Sequence, residues 1–177
     1  MVRLQAEMLI KLGVKTLIVT CAAGSLSKEV RVGDVLLIDG FLMSVAPRLP
    51  LVGGEFCSPE DAIDGKLRTL ANTFFLGDEP KSVHVGGYAM MPGPAFEGRK
   101  YDKPFLASAG IKAVGMSVLP EACVAALYDG VKVLPMAFIT NDAYEEHSHE
   151  ENLRRAKERS PLLGGYLTRI IGAMPRT

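Results

Sequence analysis

Four short segments carry small or polar residues where packing alone would select bulk. They are Thr20-Cys-Ala-Ala-Gly-Ser25, Met91-Pro-Gly-Pro-Ala-Phe-Glu97, Val114-Gly-Met-Ser-Val-Leu-Pro-Glu121 and Phe138-Ile-Thr-Asn-Asp142. Each follows or ends a β-branched run, and ligands of α/β sheets gather at the carboxyl ends of strands, so the set suggests a site assembled from loops. Taken singly the residues have ordinary readings too. Glu97 suits a solvated loop carboxylate, Met116 core packing, Tyr88 a half-buried strand position, and Ser117 a cap for the helix that begins near Pro120. Glu146, His147, His149 and Glu150 offer nitrogen and oxygen atoms to a divalent ion, but no third spaced ligand accompanies the histidines, and no metal is expected. Cys21, Cys57 and Cys123 form neither a CxxC pair nor a zinc spacing, so they read as reduced buried thiols.

The elements that would position these segments alternate between the two periods. Leu4, Met8, Leu9 and Leu12 recur at helical spacing and stop at Gly13. Lys15–Thr20 is a β-branched run suited to a buried strand, followed by a small-residue turn over Cys21–Ser25. Val35–Ile38 is a second strand, and residues 39–57 read as a long surface loop. Ser58-Pro59-Glu60-Asp61 has the cap, proline and acidic first turn of a helix reaching Phe74. Val83–Met90 is a strand interrupted by Gly86-Gly87, Arg99–Ala109 a helix, Ala113–Met116 a strand and Pro120–Tyr128 a helix. Val131–Thr140 is the last strand, with Pro135 marking an edge or bulge. Ser148-His-Glu-Glu151 is a capping box, and Ser160-Pro161 restarts or kinks the final helical region. Strands alternating with helices make an α/β layered fold in one domain.

Composition narrows the function classes. The 177 residues contain 20 Lys+Arg against 20 Asp+Glu, a balance that argues against a phosphate-tracking nucleic-acid binder. A hydrophobic share of 48% with 23% charged residues excludes intrinsic disorder. No apolar run approaches the roughly 20 residues a membrane helix needs, and the first residues lack a signal-peptide pattern. A cytoplasmic, membrane-free protein is the expectation.

In this order, the segments resemble the trimeric purine nucleoside phosphorylase family, which also contains methylthioadenosine phosphorylase. Gly93-Pro-Ala-Phe-Glu97, Val114-Gly-Met-Ser117 with Pro120-Glu121, and Thr140-Asn141 carry the resemblance, which runs from the first helix to the last. It implies a nucleoside phosphorylase-like α/β fold with a mixed central sheet flanked by helices, and phosphorolysis of a purine nucleoside to free base and (deoxy)ribose 1-phosphate. Inorganic phosphate would be the co-substrate, with no cofactor, and the protein a homotrimer. Such chemistry needs donors aimed at the leaving purine and a positioned phosphate. By resemblance Asn141 would bond the purine N7 and O6, Glu97 would accept from N1–H, and Phe96 would pack on the ring. Ala23 and Gly24 would line the base pocket. Tyr88, Met116 and His149 would meet the ribose, and Ser117 with the Ala22 amide would face phosphate.

The sequence also departs from that family. Members carry a substantial N-terminal region, with a Gly/Ser phosphate loop and an arginine, before the helix that opens this chain. Residues 1–177 therefore resemble the C-terminal part of such a domain. Charge stabilisation is usually the largest catalytic term, so this chain alone is expected to be inactive. Activity would then belong to the full gene product. The alternative is a shortened, inactive homologue acting as a purine-binding or interaction subunit. The strand at Lys15–Thr20 is expected to keep an unpaired edge. Val118 and Gly98 stand where threonines are common. Asn141 with Glu97 favours 6-oxopurines. Thr20-Cys21, Gly24-Ser-Leu26 and Ile38-Asp39 resemble the methylthioadenosine branch, whose residue at the position of Asn141 would be an aspartate.

Overall fold

A computed structural model describes residues 2–46, 48–74, 82–145 and 149–174. Helix α1 (Val2–Lys11) ends where Gly13 takes a φ of +96° and its N–H returns to the Ile10 carbonyl, a left-handed stop that glycine adopts without strain. Five strands follow, β1 (Thr16–Ser25), β2 (Val35–Phe41), β3 (Val83–Met90), β4 (Ile111–Gly115) and β5 (Lys132–Asp142). Between and after them lie α2 (Gly65–Thr73), α3 (Asp102–Ser108), α4 (Leu119–Ala126) and α5 (His149–Ala173).

The sheet is mixed and closes on itself in the order β1-β4-β3-β2-β5. Strand β1 runs parallel to β5, and β3 parallel to both β2 and β4; the β1–β4 and β2–β5 pairs are antiparallel. Closure is narrow, because β1 meets β4 only through Gly24 and Ser25. Along Thr16–Ala23, β1 pairs with β5 alone, so among the described residues the expected open edge is present.

Alternation along β2 shows how the strands divide the core. Val35 and Leu37 face Leu134 and Met136, and the same cluster includes Leu67 and Ala71 of α2 and Tyr166 and Ile170 of α5. Leu36 and Ile38 point the other way, into Tyr88, Ala113, Ile139 and residues of α4. Leu36, Leu37 and Ile38 are fully buried, each contributing about 1.5–3 kcal/mol through its side chain. A strand covered on both faces reads as a continuous apolar run, as β2 does. Helices α1 and α4 form a further layer around Ala6, Ile10, Leu17, Val124 and Val133.

Four sequence expectations change. The segment Cys21–Ser25 is the end of β1, not a turn, because Cys21 to Ser25 stay in register with β5 across a bulge at Ala23/Gly24. Ser58 opens only a short 3-10 turn over Pro59–Ala62; the cap of α2 is Asp64, whose carboxylate accepts the Lys66 and Leu67 N–H groups. Gly86 and Gly87 sit inside an unbroken β3. Helix α5 passes through Pro161 without restarting, its far half anchored by buried Tyr166 and Ile170. The capping serine expected at Ser148 lies outside the described residues. Pro135 precedes the part of β5 that pairs with β2, so it sits where β5 has β1 as its sheet neighbour.

Candidate active site

The carboxyl ends of β1, β3, β4 and β5 converge, and close backbone approach explains their small residues. Gly24 of β1 pairs with Asn141 of β5, and a Cβ at Gly24 would stand 3.0 Å from the Asn141 amide nitrogen. Any larger residue at Gly24 would displace that amide. Asn141 is 4% exposed, which demands hydrogen-bond partners for its amide. Thr140 Oγ1 donates to Asn141 Oδ1 at 3.1 Å, and Asn141 Nδ2 donates to the Asp142 carbonyl at 3.3 Å. The Ala23 carbonyl lies 3.4 Å from the same threonine hydroxyl. From α5, Arg155 reaches the Thr140 carbonyl at 3.3 Å while bonding Glu151 at 2.6 Å, which docks the helix on this strand end.

A second group forms around Tyr88, fully buried on β3 with its ring edge-on to Phe41. Its hydroxyl accepts from the Ser117 N–H at 3.5 Å and from the Cys21 thiol at 3.8 Å. Gly115 leaves room for that hydroxyl, since a Cβ there would collide with Tyr88 Oη and stand 3.1 Å from the Ala22 carbonyl. Met116 lies across from Gly93, where a Cβ would meet its sulfur at 2.8 Å. Ser117 and Ala22 are exposed at the surface of this group. Directly after Ser117, Val118 has φ 77° and ψ −46° while fully buried. A β-branched residue in that conformation costs about 1–3 kcal/mol, and such strain clusters at ligand sites. Here it turns the chain from β4 into α4.

Electrostatics leave this group without a nucleophile. Burial pushes the Cys21 thiol up to about 12, its bonds to Tyr88 and Ser117 only partly opposing the shift. Burial, then the Cys21 neighbour, raises the Tyr88 phenol as well, so it stays a neutral hydroxyl. Burial likewise brings Cys123 to about 12, with Cys57 and Glu121 adding to the effect. One oxygen of Glu121, in the first turn of α4, is buried without a hydrogen-bond partner among the described residues.

Glu97 is 8% exposed, not the solvated loop carboxylate its position first suggests. It faces Lys103, 3% exposed, across 3.5 Å, and the Lys103 ammonium also donates to the Ala143 carbonyl. Ala143 lies two residues beyond Asn141 and donates its N–H to Ser25 at 2.8 Å, so the Glu97 loop is tied to the ends of β1 and β5. Phe96 beside it is 51% exposed. His149 begins α5, and its side chain lies outside the described residues. Sequence reasoning passed over Lys103, and it read Cys21 and Gly115 only as parts of motifs, without their contacts to Tyr88. Lys103 did leave a trace, because a cation in the first turn of a helix opposes the macrodipole and calls for another reason to be there.

These strand ends present a neutral amide, a cation-held carboxylate, a neutral phenol and an exposed hydroxyl. They can bind and polarise a polar heterocycle and a sugar, and among the described residues they hold no activated protein nucleophile. Comparison with known proteins agrees in order and extent. Residues 1–172 match the family profile described as the phosphorylase superfamily. Purine nucleoside phosphorylase of Bos taurus is 34% identical over 180 residues, covering 93% of this chain and 62% of the relative. The enzyme of that name from Mycobacterium tuberculosis is 34% identical over 163 residues, covering 90% of this chain and 58% of its own. The chain thus spans about three fifths of the length of the curated relatives it matches. Among solved structures, isoform 2 of purine nucleoside phosphorylase from Schistosoma mansoni, in complex with cytosine and ribose-1-phosphate, superimposes with TM-score 0.84 at 29% identity, covering 99% of this chain and 66% of that one. The Schistosoma mansoni enzyme with inosine gives 0.83 at 28%, covering 99% and 67%. Sequence, topology and strand-end geometry agree that the chain belongs to the phosphorylase superfamily.

Proposed function

We propose that this chain carries the base- and sugar-binding part of a purine nucleoside phosphorylase, acting on 6-oxopurine nucleosides with inorganic phosphate as co-substrate. The observation that carries the reading is the buried pair Asn141 and Glu97, linked through Lys103 and Ala143, which join the loop after β3 to the chain after β5. In this assignment Asn141 bonds N7 and O6 of the purine, where negative charge accumulates as the glycosidic bond breaks. An amide suits that task because it donates and accepts without titrating. Glu97 accepts from N1–H, Phe96 covers the ring, and Ala23 and Gly24 form the pocket wall. Tyr88, Met116 and His149 serve the ribose, while Ser117 Oγ and the Ala22 amide face phosphate. Phosphate then attacks the anomeric carbon, the electron pair of the glycosidic bond leaves with the purine, and ribose 1-phosphate is released. The relatives named for this activity, and the structural relatives bound to inosine and to ribose-1-phosphate, support the reading. By resemblance the assembly is a homotrimer, checked by light-scattering mass.

The test supplies inosine and phosphate to the gene product that contains this chain and follows hypoxanthine release by ultraviolet absorbance. Release that requires phosphate, and that falls about 100-fold in Asn141→Ala, is the expected result. Hypoxanthine release that ignores phosphate, or that Asn141→Ala leaves intact, would refute it. A second reading, purine binding without turnover, draws on the neutral character of Ser117 and the Ala22 amide, the two groups assigned to phosphate. Tight hypoxanthine binding with no phosphorolysis would favour that alternative.

A further inference from the structure

Lys103 is buried at the site although neither the sugar nor the base chemistry requires it there. It lies in the first turn of α3, at the positive pole of the helix, where an exposed lysine would gain by pointing into water. Instead its side chain is 3% exposed. Burying an ammonium is costly unless it is paired and hydrogen-bonded. Lys103 has both kinds of partner, Glu97 Oε1 at 3.5 Å and the Ala143 carbonyl. The Lys103 backbone adds two links, donating its N–H to Gly98 at 3.1 Å and accepting from the Tyr144 hydroxyl at 3.5 Å. Three segments, the loop after β3, α3 and the chain after β5, are thereby held by one residue.

We propose that Lys103 is a positioning residue that sets which purines the site prefers, by holding one oxygen of Glu97 and so fixing the orientation of its carboxyl group. The inference rests on the reading that Glu97 faces the base. An ionised carboxylate can only accept hydrogen bonds, whereas a protonated one can donate. A 6-oxopurine presents a donor at N1, and a 6-aminopurine presents a lone pair there. With Lys103 engaging Oε1, the second oxygen accepts from N1–H, and a bare N1 meets a like lone pair. Without the ammonium the carboxyl group loses that anchor, the acceptor is no longer held toward N1–H, and the preference for 6-oxopurines falls.

The experiment compares wild type, Lys103→Met and Lys103→Arg, each with and without Glu97→Gln, by calorimetric titration with hypoxanthine and adenine. Expected are a wild-type preference for hypoxanthine, retention of that preference in Lys103→Arg, and a fall of about 10-fold or more in the hypoxanthine-to-adenine ratio in Lys103→Met. In the Glu97→Gln background, Lys103→Met should change the ratio no further, because the carboxylate it positions is gone. Should Lys103→Met not fold, Lys103→Gln replaces it with the same expectations. An unchanged ratio in Lys103→Met, or an equal further fall in the Glu97→Gln background, would overturn the proposal. Failure of the wild type to bind either base overturns the site reading and the selectivity claim with it.

Discussion

Replacing Gly115 by alanine probes the point where β1, β3 and β4 meet. Gly115 has no left-handed φ, so alanine meets no backbone strain there and space is the only obstacle. The new methyl would overlap Tyr88 Oη, stand 3.3 Å from Tyr88 Cζ and 3.1 Å from the Ala22 carbonyl. Tyr88 is fully buried and cannot retreat into solvent, so the hydroxyl must shift by the better part of an ångström or β4 must move away. Overpacking of this kind costs about 1–3 kcal/mol. Tyr88→Phe alone loses only long hydrogen bonds, 3.5 Å to Ser117 and 3.8 Å to Cys21, and should cost about 0.5–1 kcal/mol. In the double variant the colliding oxygen is gone and the methyl occupies its space. Urea unfolding of the four proteins should therefore give a favourable coupling of at least about 1 kcal/mol, with a residual cost from the Ala22 carbonyl. Additive effects, or a Gly115→Ala protein as stable as wild type, would refute the packing described for these three strands.

Other consequences follow from single contacts. Asp64→Ala removes the carboxylate that accepts the Lys66 and Leu67 N–H groups and should destabilise the fold by about 1 kcal/mol in urea unfolding. Cys21, with its thiol pushed up to about 12 by burial, is almost wholly protonated at pH 8, so iodoacetamide should label it at least about 1000-fold more slowly than free cysteine. Mass spectrometry after timed quenching measures that rate. The hydrogen bond from Arg3 holds the Glu55 carboxyl down at about 2 against an ordinary 4.5. Because the folded value lies below the unfolded one, its contribution is full above pH 4.5 and is lost as pH falls toward 2. Hydrogen exchange in α1 should accelerate across that window, and Arg3→Met should remove the dependence.

Elements whose cause is local were legible in the sequence, as were the four strand ends. The β-branched runs became β1, β2 and β5, Gly13 ended α1, and the proline before Glu121 fell at the start of α4. What escaped depends on partners distant along the chain. Cys21–Ser25 looks like a turn because its residues are small; they are small because Asn141, Tyr88 and Ala143 approach so closely. Ser58 has the look of a cap, yet Asp64 is the one followed by a buried helical face, here Leu67 and Ala71, and local sequence does not show that. Sheet closure through Gly24 and Ser25 leaves no pattern in either strand alone. In the candidate site, Asn141, Glu97 and Ser117 could be named through the family resemblance, but the burial of Glu97 could not. It depends on Lys103, whose own burial is set by Ala143 on another strand end.

The most direct test of the central claim is a crystal structure of this protein grown with hypoxanthine. The purine should lie at the ends of β1 and β5, with N7 and O6 on the Asn141 amide, N1–H on the Glu97 carboxylate and Phe96 over the ring. A purine seated elsewhere, or density at these strand ends that contacts neither Asn141 nor Glu97, would contradict it.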